Sequence, residues 1–494
     1  MTDRKRPDLK PLEMLDLGRA RTLGGILDGM SRCSFGARML GEAAATLASW
    51  CRELRKPVIV YDGDLGSPLG GLLRSMVAEG LCYRIMRPAT YAKRPAWRAS
   101  NALVVGDVAD RHAASFAARA PRTTLFVNDT DLANPGQVKD GYFPDAVFTD
   151  PRFAMPVLAA AVRERLGGPA LTAGGFVGHL RAARYGGIAD QTVTGADTLI
   201  ASMEDPACRR FLTLSGAMTV AQMSLVICEM IDRGMVHSVT STGALMAHGL
   251  VPGLGLRHYK YDPGDDDRTL AALSLNRVTD TLEPETNFDH IDDIMQEVLG
   301  TFSGDEPISP RILHAAIGKY LVERHPDQRA ILASAFRMGV PVFVPAFVDS
   351  ELGNDVFVTN RQRELEGKRR VTMDLELDSA ELIRLMTGAE HAAIWTFGGG
   401  VPRNWTQNVS PLLEIHNARL AELGLELPVR KFRYGCKVCP DRPHFGHLSG
   451  CTYEEGKSWR KFDLDGMFAE IHGDATQVWP ILVKHVMDWQ DGRH

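Results

Sequence analysis

The stretch HAAIWTFGGG, His391 to Gly400, decides the fold. Its almost unbroken apolar run is too short for a buried helix and stops on three glycines. That is the pattern of a strand covered on both faces that turns sharply into the next element. The same grammar recurs in VHSVTSTGA (Val236 to Ala244), VPVFVPAFVD (Val340 to Asp349) and MFAEIHGDAT (Met467 to Thr476). Between them lie helical segments such as TVAQMSLVICEMIDRG, SPRILHAAIGKYLVERH and SAELIRLMTG, so the alternation predicts an α/β unit around a parallel sheet.

Working back toward the amino terminus, a second and smaller α/β pattern occupies residues 1–165. PVIVYDGD (Pro57 to Asp64), NALVVGDV (Asn101 to Val108), TTLFVNDT (Thr123 to Thr130) and DAVFTD (Asp145 to Asp150) read as buried parallel strands, with SPLGGLLRSMVAEG and RHAASFAARA as helical crossovers. LGGPALTAGGFVGHL, residues 166–180, holds five glycines and no strong period, and is expected to be a linker. The larger unit then spans 181–494.

Composition narrows the function. With 494 residues, 45% hydrophobic and 24% charged, the chain is an ordinary folded protein of more than one domain. A net charge of −5, from 56 basic and 61 acidic residues, gives no general attraction to nucleic acid or anionic membrane. No stretch has the roughly 18 consecutive apolar residues of a membrane span, and the charged start MTDRKRPDLK lacks an apolar run behind it. A cytoplasmic protein with eight free thiols is expected.

In open α/β sheets, ligands collect at the carboxyl ends of the strands. There Gly398, Gly399 and Gly400 can let a phosphate or flat ring approach the backbone, or simply make a tight turn. STGA (Ser241 to Ala244) and LSGAMT (Leu214 to Thr219) have the same small-residue character. Asp474 suits ribose hydroxyls or a helix N-cap equally. In SGCTYEEGKSWRKF (Ser449 to Phe462), Thr452 and Glu455 have capping-box spacing, and Glu455 and Trp459 share a helix face able to receive a protonated amine. Lys461 is either a solvated cation or, if desolvated, a nucleophile. Cys436, Cys439, His444 and His447 have metal-ligand residue types but only four residues between the two pairs, so no metal is expected.

The serial order STGALMAHGL, HYKYD, LNRVTDTLEPETNFDHIDDIM, VPVFVPAFVDSELGND, TFGGGVPRN, LSGCTYEEGKSWRKF, HGDAT resembles the deoxyhypusine synthase family, and more closely its bacterial deoxyhypusine synthase-like branch, over about residues 175 to 490. The resemblance implies a Rossmann-like parallel sheet, a homotetramer, and NAD-dependent transfer of an aminoalkyl group from a polyamine or related small amine through a lysine imine. It places Lys461 on the nucleophile, Glu455 on a carboxylate for the substrate amine and Trp459 on a tunnel wall. Asn404 stands where eukaryotic members have histidine, and His248 where they have glutamate. Ser215, Gly216, Thr242, Gly243, Asp349, Gly398, Gly399, Gly400, Asp474 and Ala475 fall on cofactor positions. Asn354 stands where eukaryotic members have an aspartate, which with His248 thins out the carboxylates for a long triamine, and Arg460 replaces a glycine, either adding a cation beside Lys461 or facing solvent. A true deoxyhypusine synthase acting on a translation-factor lysine, or an oxidoreductase or lyase stopping at the imine, are the alternatives. On a continuous helix Trp459 and Lys461 would point apart, so the helix is expected to break near Arg460.

Overall fold

The structure is a computed structural model that describes residues 8–93, 101–106, 124–128 and 146–492. Six strands form the central sheet in the spatial order Val342–Phe343, Ser238–Thr240, Cys208–Leu214, His391–Phe397, Phe432–Val438, Phe462–Ile471. Every pairing is parallel. The strand His391–Phe397 is flanked on both sides, and its residues alternate between two apolar clusters. Ala393, Trp395 and Phe397 enter the main core, where the Phe397 and Trp479 rings meet at 3.9 Å. Ala392 and Ile394 enter a second cluster with Phe211, Phe343 and Phe432. Burial on both faces explains why the run shows no period of two.

Two strand limits differ from expectation. In VPVFVPAFVD only Val342–Phe343 pair, because Pro341 and Pro345 bring no N–H and a single neighbour borders that edge. The last strand begins at Phe462 and ends at Ile471, so His472 and Gly473 form the turn into the helix Ala475–Gln490.

The smaller sheet is also fully parallel, in the order Arg84–Met86, Val58–Tyr61, Ala102–Val105, Thr124–Asn128, Ala146–Phe148. The three-residue strand Arg84–Met86 was too short to read from sequence. The helix expected over Arg111 to Ala120 lies outside the described residues, as do the ends of NALVVGDV and TTLFVNDT beyond Gly106 and Asn128 and their neighbours Thr123 and Asp145.

Residues 8–52 are not confined to the unit of that sheet, although the helix Phe35–Arg52 packs against its edge strand Ala146–Phe148. Lys10–Pro11 joins Tyr259–Lys260, Thr281–Pro284 and Leu275–Val278 in an antiparallel sheet of the larger unit. The helix Phe35–Arg52 packs on Pro151–Arg165 and on Ala475–Gln490. One continuous apolar core therefore runs from Leu15 through Met155 to Met487 across the expected boundary at 165. The expected linker is irregular only as far as Thr172. A helix spans Ala173–Ala183, started by the Thr172 hydroxyl accepting the Gly175 N–H at 3.0 Å.

Candidate active site

Helix Tyr453–Ser458 starts where its capping spacing requires, with Thr452 Oγ1 accepting the Glu455 N–H at 3.0 Å. It ends at Ser458, and Arg460 takes the left-handed conformation with φ 59°. That turn brings Lys461 back beneath Trp459, whose ring centre lies 5.8 Å from Lys461 Nζ. Lys461 Nζ donates to Asn404 Oδ1 at 3.0 Å, and Asn404 comes from the helix Gly400–Gln407 that follows the three glycines. Lys461, Glu455, Trp459, Asn404 and Gly400 line one cavity of about 700 Å³. Lys461 is only 8% exposed. Burial pushes its pKa below the ordinary lysine value, and the neighbouring Arg403 guanidinium pushes it the same way. A larger share of neutral amine, the form that attacks carbon, is the result.

Arg403 and Lys437 were not singled out from sequence. Arg403, 3% exposed, donates to Cys451 O at 2.8 Å and lies over the Tyr453 ring. Lys437 is fully buried, donates to Gly450 O and Cys451 O at 3.1 and 2.7 Å, and pairs with Glu470. Both prop the loop that leads into the Glu455 helix. A lysine on a buried strand was the available signal. Replacement Arg403→Met removes a cation that disfavours charge on Lys461, so its pKa is expected to rise. The rate of reductive alkylation of Lys461, followed by mass spectrometry, should then climb only at higher pH than in the wild type; an unmoved profile refutes the coupling.

Six of the residues expected at the cofactor share a second cavity of about 380 Å³: Ser215, Gly216, Gly398, Gly399, Asp474 and Ala475. Its floor is bare backbone. A Cβ on Gly398, whose φ is 77°, would fall 2.2 Å from Ser215 Oγ, and one on Gly399 would fall 2.9 Å from the Ser449 backbone. Asp474 caps the helix Ala475–Gln490, accepting from Thr476 N at 2.6 Å, and this helix opens toward the cavity with its positive end. A dinucleotide fits this lining: glycine backbone open to a flat ring, and the positive end of a helix facing it, with the Thr476 amide itself already committed to Asp474. Thr242 and Gly243 lie outside the lining; Thr242 caps the helix Gly243–Gly253, and Gly243 packs against Ser350. Asp349 is exposed on the neighbouring turn.

His248 is outside both cavities. Its Nδ1 lies 2.6 Å from Glu283, a carboxylate that also faces His258 Nε2 at 3.4 Å. Burial alone would raise the Glu283 pKa, yet the two imidazoles outweigh it and hold the value at about 2. Likewise burial opposes charge on His248, but Glu283 prevails and lifts its pKa above the ordinary histidine value. These three side chains converge closely enough to hold a metal ion. However, Gln222 Nε2 contacts Val220 O at 2.9 Å and His258 Nδ1 at 3.1 Å. The amide thus donates to Nδ1 and leaves the His258 proton on Nε2, where a metal would need the lone pair. Among the described residues, Cys436, Cys439, His444 and His447 do not converge as a set: Cys436 points at Gly195, while Cys439 Sγ and His447 Nδ1 approach Asp441 at 3.7 and 3.5 Å.

Against this geometry, the model of the deoxyhypusine synthase family matches residues 181–486, well over half of the chain. The chain belongs to that family. Probable deoxyhypusine synthase 1 of Methanosarcina mazei is 33% identical over 279 residues, covering 56% of this chain and 79% of the relative. Deoxyhypusine synthase-like proteins of Elusimicrobium minutum and Chlorobaculum parvum are 28% and 29% identical, over 57% and 58% of this chain and 72% and 79% of theirs. Deoxyhypusine synthase membership makes the chain an aminoalkyl-transferase relative with a mixed α/β, parallel-sheet fold, as its sequence order implied. Among its described residues, no helix is long and apolar enough to cross a membrane.

Proposed function

We propose that the protein is an NAD-dependent transferase that moves an aminoalkyl group between small amines, with the alkyl carbon held in transit as an imine on Lys461. The observation that carries this reading is the buried Lys461 amine, lowered in pKa and aimed at Asn404 beneath Trp459 in a 700 Å³ cavity. Bound NAD would supply reversible removal of hydride from the carbon beside the donor amine. Ser215, Gly216, Gly398, Gly399, Asp474 and Ala475 are the residues to hold it. Neutral Lys461 Nζ adds to the oxidised carbon and the donor amine leaves with the proton that Lys461 gives up; attack by the acceptor amine frees Lys461 again and leaves the carbon as an imine of the acceptor, to which the hydride taken at the start would return. No net oxidation results. Asn404 Oδ1 orients Nζ, while Glu455 and the Trp459 face receive the protonated far end of the amine. A homotetramer in the cytoplasm belongs to the same proposal.

Mass spectrometry of products from putrescine, spermidine, agmatine and amino-acid-derived amines, with NAD present, decides the substrate. A new secondary amine without NADH build-up is the expected outcome. Lasting NADH accumulation would instead mark an oxidoreductase or lyase, and an added aminobutyl mass on a translation factor would mark a true deoxyhypusine synthase. For the cofactor cleft, Gly399→Ala should weaken NAD binding about tenfold or more, since its methyl must displace the Ser449 backbone. Wild-type affinity in a fluorescence titration would remove Gly399 from the cleft.

A further inference from the structure

Residues 8–52 lie outside the matched family region, yet one of them enters the glycine-floored cleft. Phe35 is half-buried and lines the same 380 Å³ cavity as Gly216, Gly399 and Asp474. Its backbone has φ 57°, a left-handed conformation that is unfavourable for a bulky side chain and free of cost for glycine. The surroundings impose it. Both carboxylate oxygens of buried Asp280 accept the Phe35 N–H at 3.1 Å, and Asp280 is itself ion-paired with buried Arg38. Ser34 Oγ donates to Val220 O at 2.9 Å, Gln477 Nε2 donates to Gly36 O at 3.1 Å, and the Ala37 N–H bonds Thr476 Oγ1 at 2.9 Å. Gly36 lies so close to Asp474 that a Cβ there would meet its carboxylate. The start of the helix Phe35–Arg52 is thus locked onto the start of the helix Ala475–Gln490, and a phenyl ring is held at the cavity wall.

The three glycines divide the two cavities. Gly398 and Gly399 floor this one, and Gly400 opens onto the one that contains Lys461. The reacting ring of a dinucleotide must reach Lys461, so the cleft beneath Phe35 is left to the opposite, adenosine end. We propose that Phe35 is a cofactor-binding residue whose ring packs on the adenine of the dinucleotide, so that the amino-terminal segment completes the cleft. This inference rests on the NAD reading above.

The test uses the full chain and compares wild type with Phe35→Gly and Phe35→Tyr, titrated with NAD and with ADP-ribose, which lacks nicotinamide. Glycine removes the ring while relaxing the strained backbone, and tyrosine keeps the ring. Phe35→Gly is expected to bind both ligands about tenfold more weakly, the usual scale of one base–aromatic contact. Phe35→Tyr should bind both within about twofold of wild type, and the melting temperature of each variant without ligand reports packing separately. Wild-type affinity in Phe35→Gly overturns the proposal, as does weakening for NAD with none for ADP-ribose. A tyrosine variant as weak as the glycine one also overturns it, because the loss would then follow altered packing. Failure of the wild type to bind either ligand sinks the NAD reading itself, and Phe35 with it.

Discussion

Lys461→Ala is expected to lose at least about a thousandfold in turnover, the scale on which removal of a covalent nucleophile is felt. The expectation follows from placement. Lys461 Nζ is 3.0 Å from Asn404 and faces the cavity, so alanine leaves no amine there to carry the alkyl group. The variant should still fold, because Lys461 sits at the mouth of the last strand and, among the described residues, its side chain hydrogen-bonds Asn404 alone. Borohydride added during turnover should attach the substrate fragment to wild-type protein, with the label on the peptide containing Lys461. Equal labelling of wild type and Lys461→Ala would defeat the imine assignment. Lys437, buried and committed to Gly450, Cys451 and Glu470, should carry no label in either protein.

The largest stability effect is expected away from that cavity, at Arg38. Its guanidinium pairs with Asp280, and both side chains are 2% exposed. Arg38 also donates to the Asp280 backbone carbonyl at 2.7 Å, while the Asp280 carboxylate holds the Phe35 N–H. Arg38→Leu leaves a carboxylate buried without its cation, which typically costs about 3–5 kcal/mol. Adding Asp280→Asn to the same chain should recover a good part of the loss, since the amide has no charge to desolvate. Urea denaturation of the two single variants and the double variant measures the coupling. Strictly additive losses would mean that the pair contributes nothing as a pair. Because Asp280 fixes Phe35, Arg38→Leu should also weaken NAD binding.

What could be read along the chain was whatever a local run could encode. HAAIWTF announced a strand covered on both faces, and it is one, with Trp395 and Ile394 in different clusters. Thr452 with Glu455 announced a helix start, and the conflict between Trp459 and Lys461 required the break seen at Arg460. Two-residue strands such as Lys10–Pro11 carry no period, so the antiparallel sheet that binds the amino terminus to the larger unit was invisible. The glycines of residues 166–180 hid the Thr172 cap, because composition argued for a loop while one hydroxyl argued for a helix. Arg403 and Lys437 were not singled out, since residue types along a chain record burial only indirectly.

The sequence alone determined the family and the parallel α/β order and singled out Lys461 as the candidate nucleophile, each from contiguous motifs. Only the tertiary structure decided that Asn404, 57 residues earlier, accepts from Lys461 Nζ, and that Arg403 shares its buried surroundings. It alone decided that Phe35 stands beside Asp474 in one cleft. Desolvation and charge coupling are sums over everything near a group in space, and a linear motif specifies only the neighbours that the chain itself supplies.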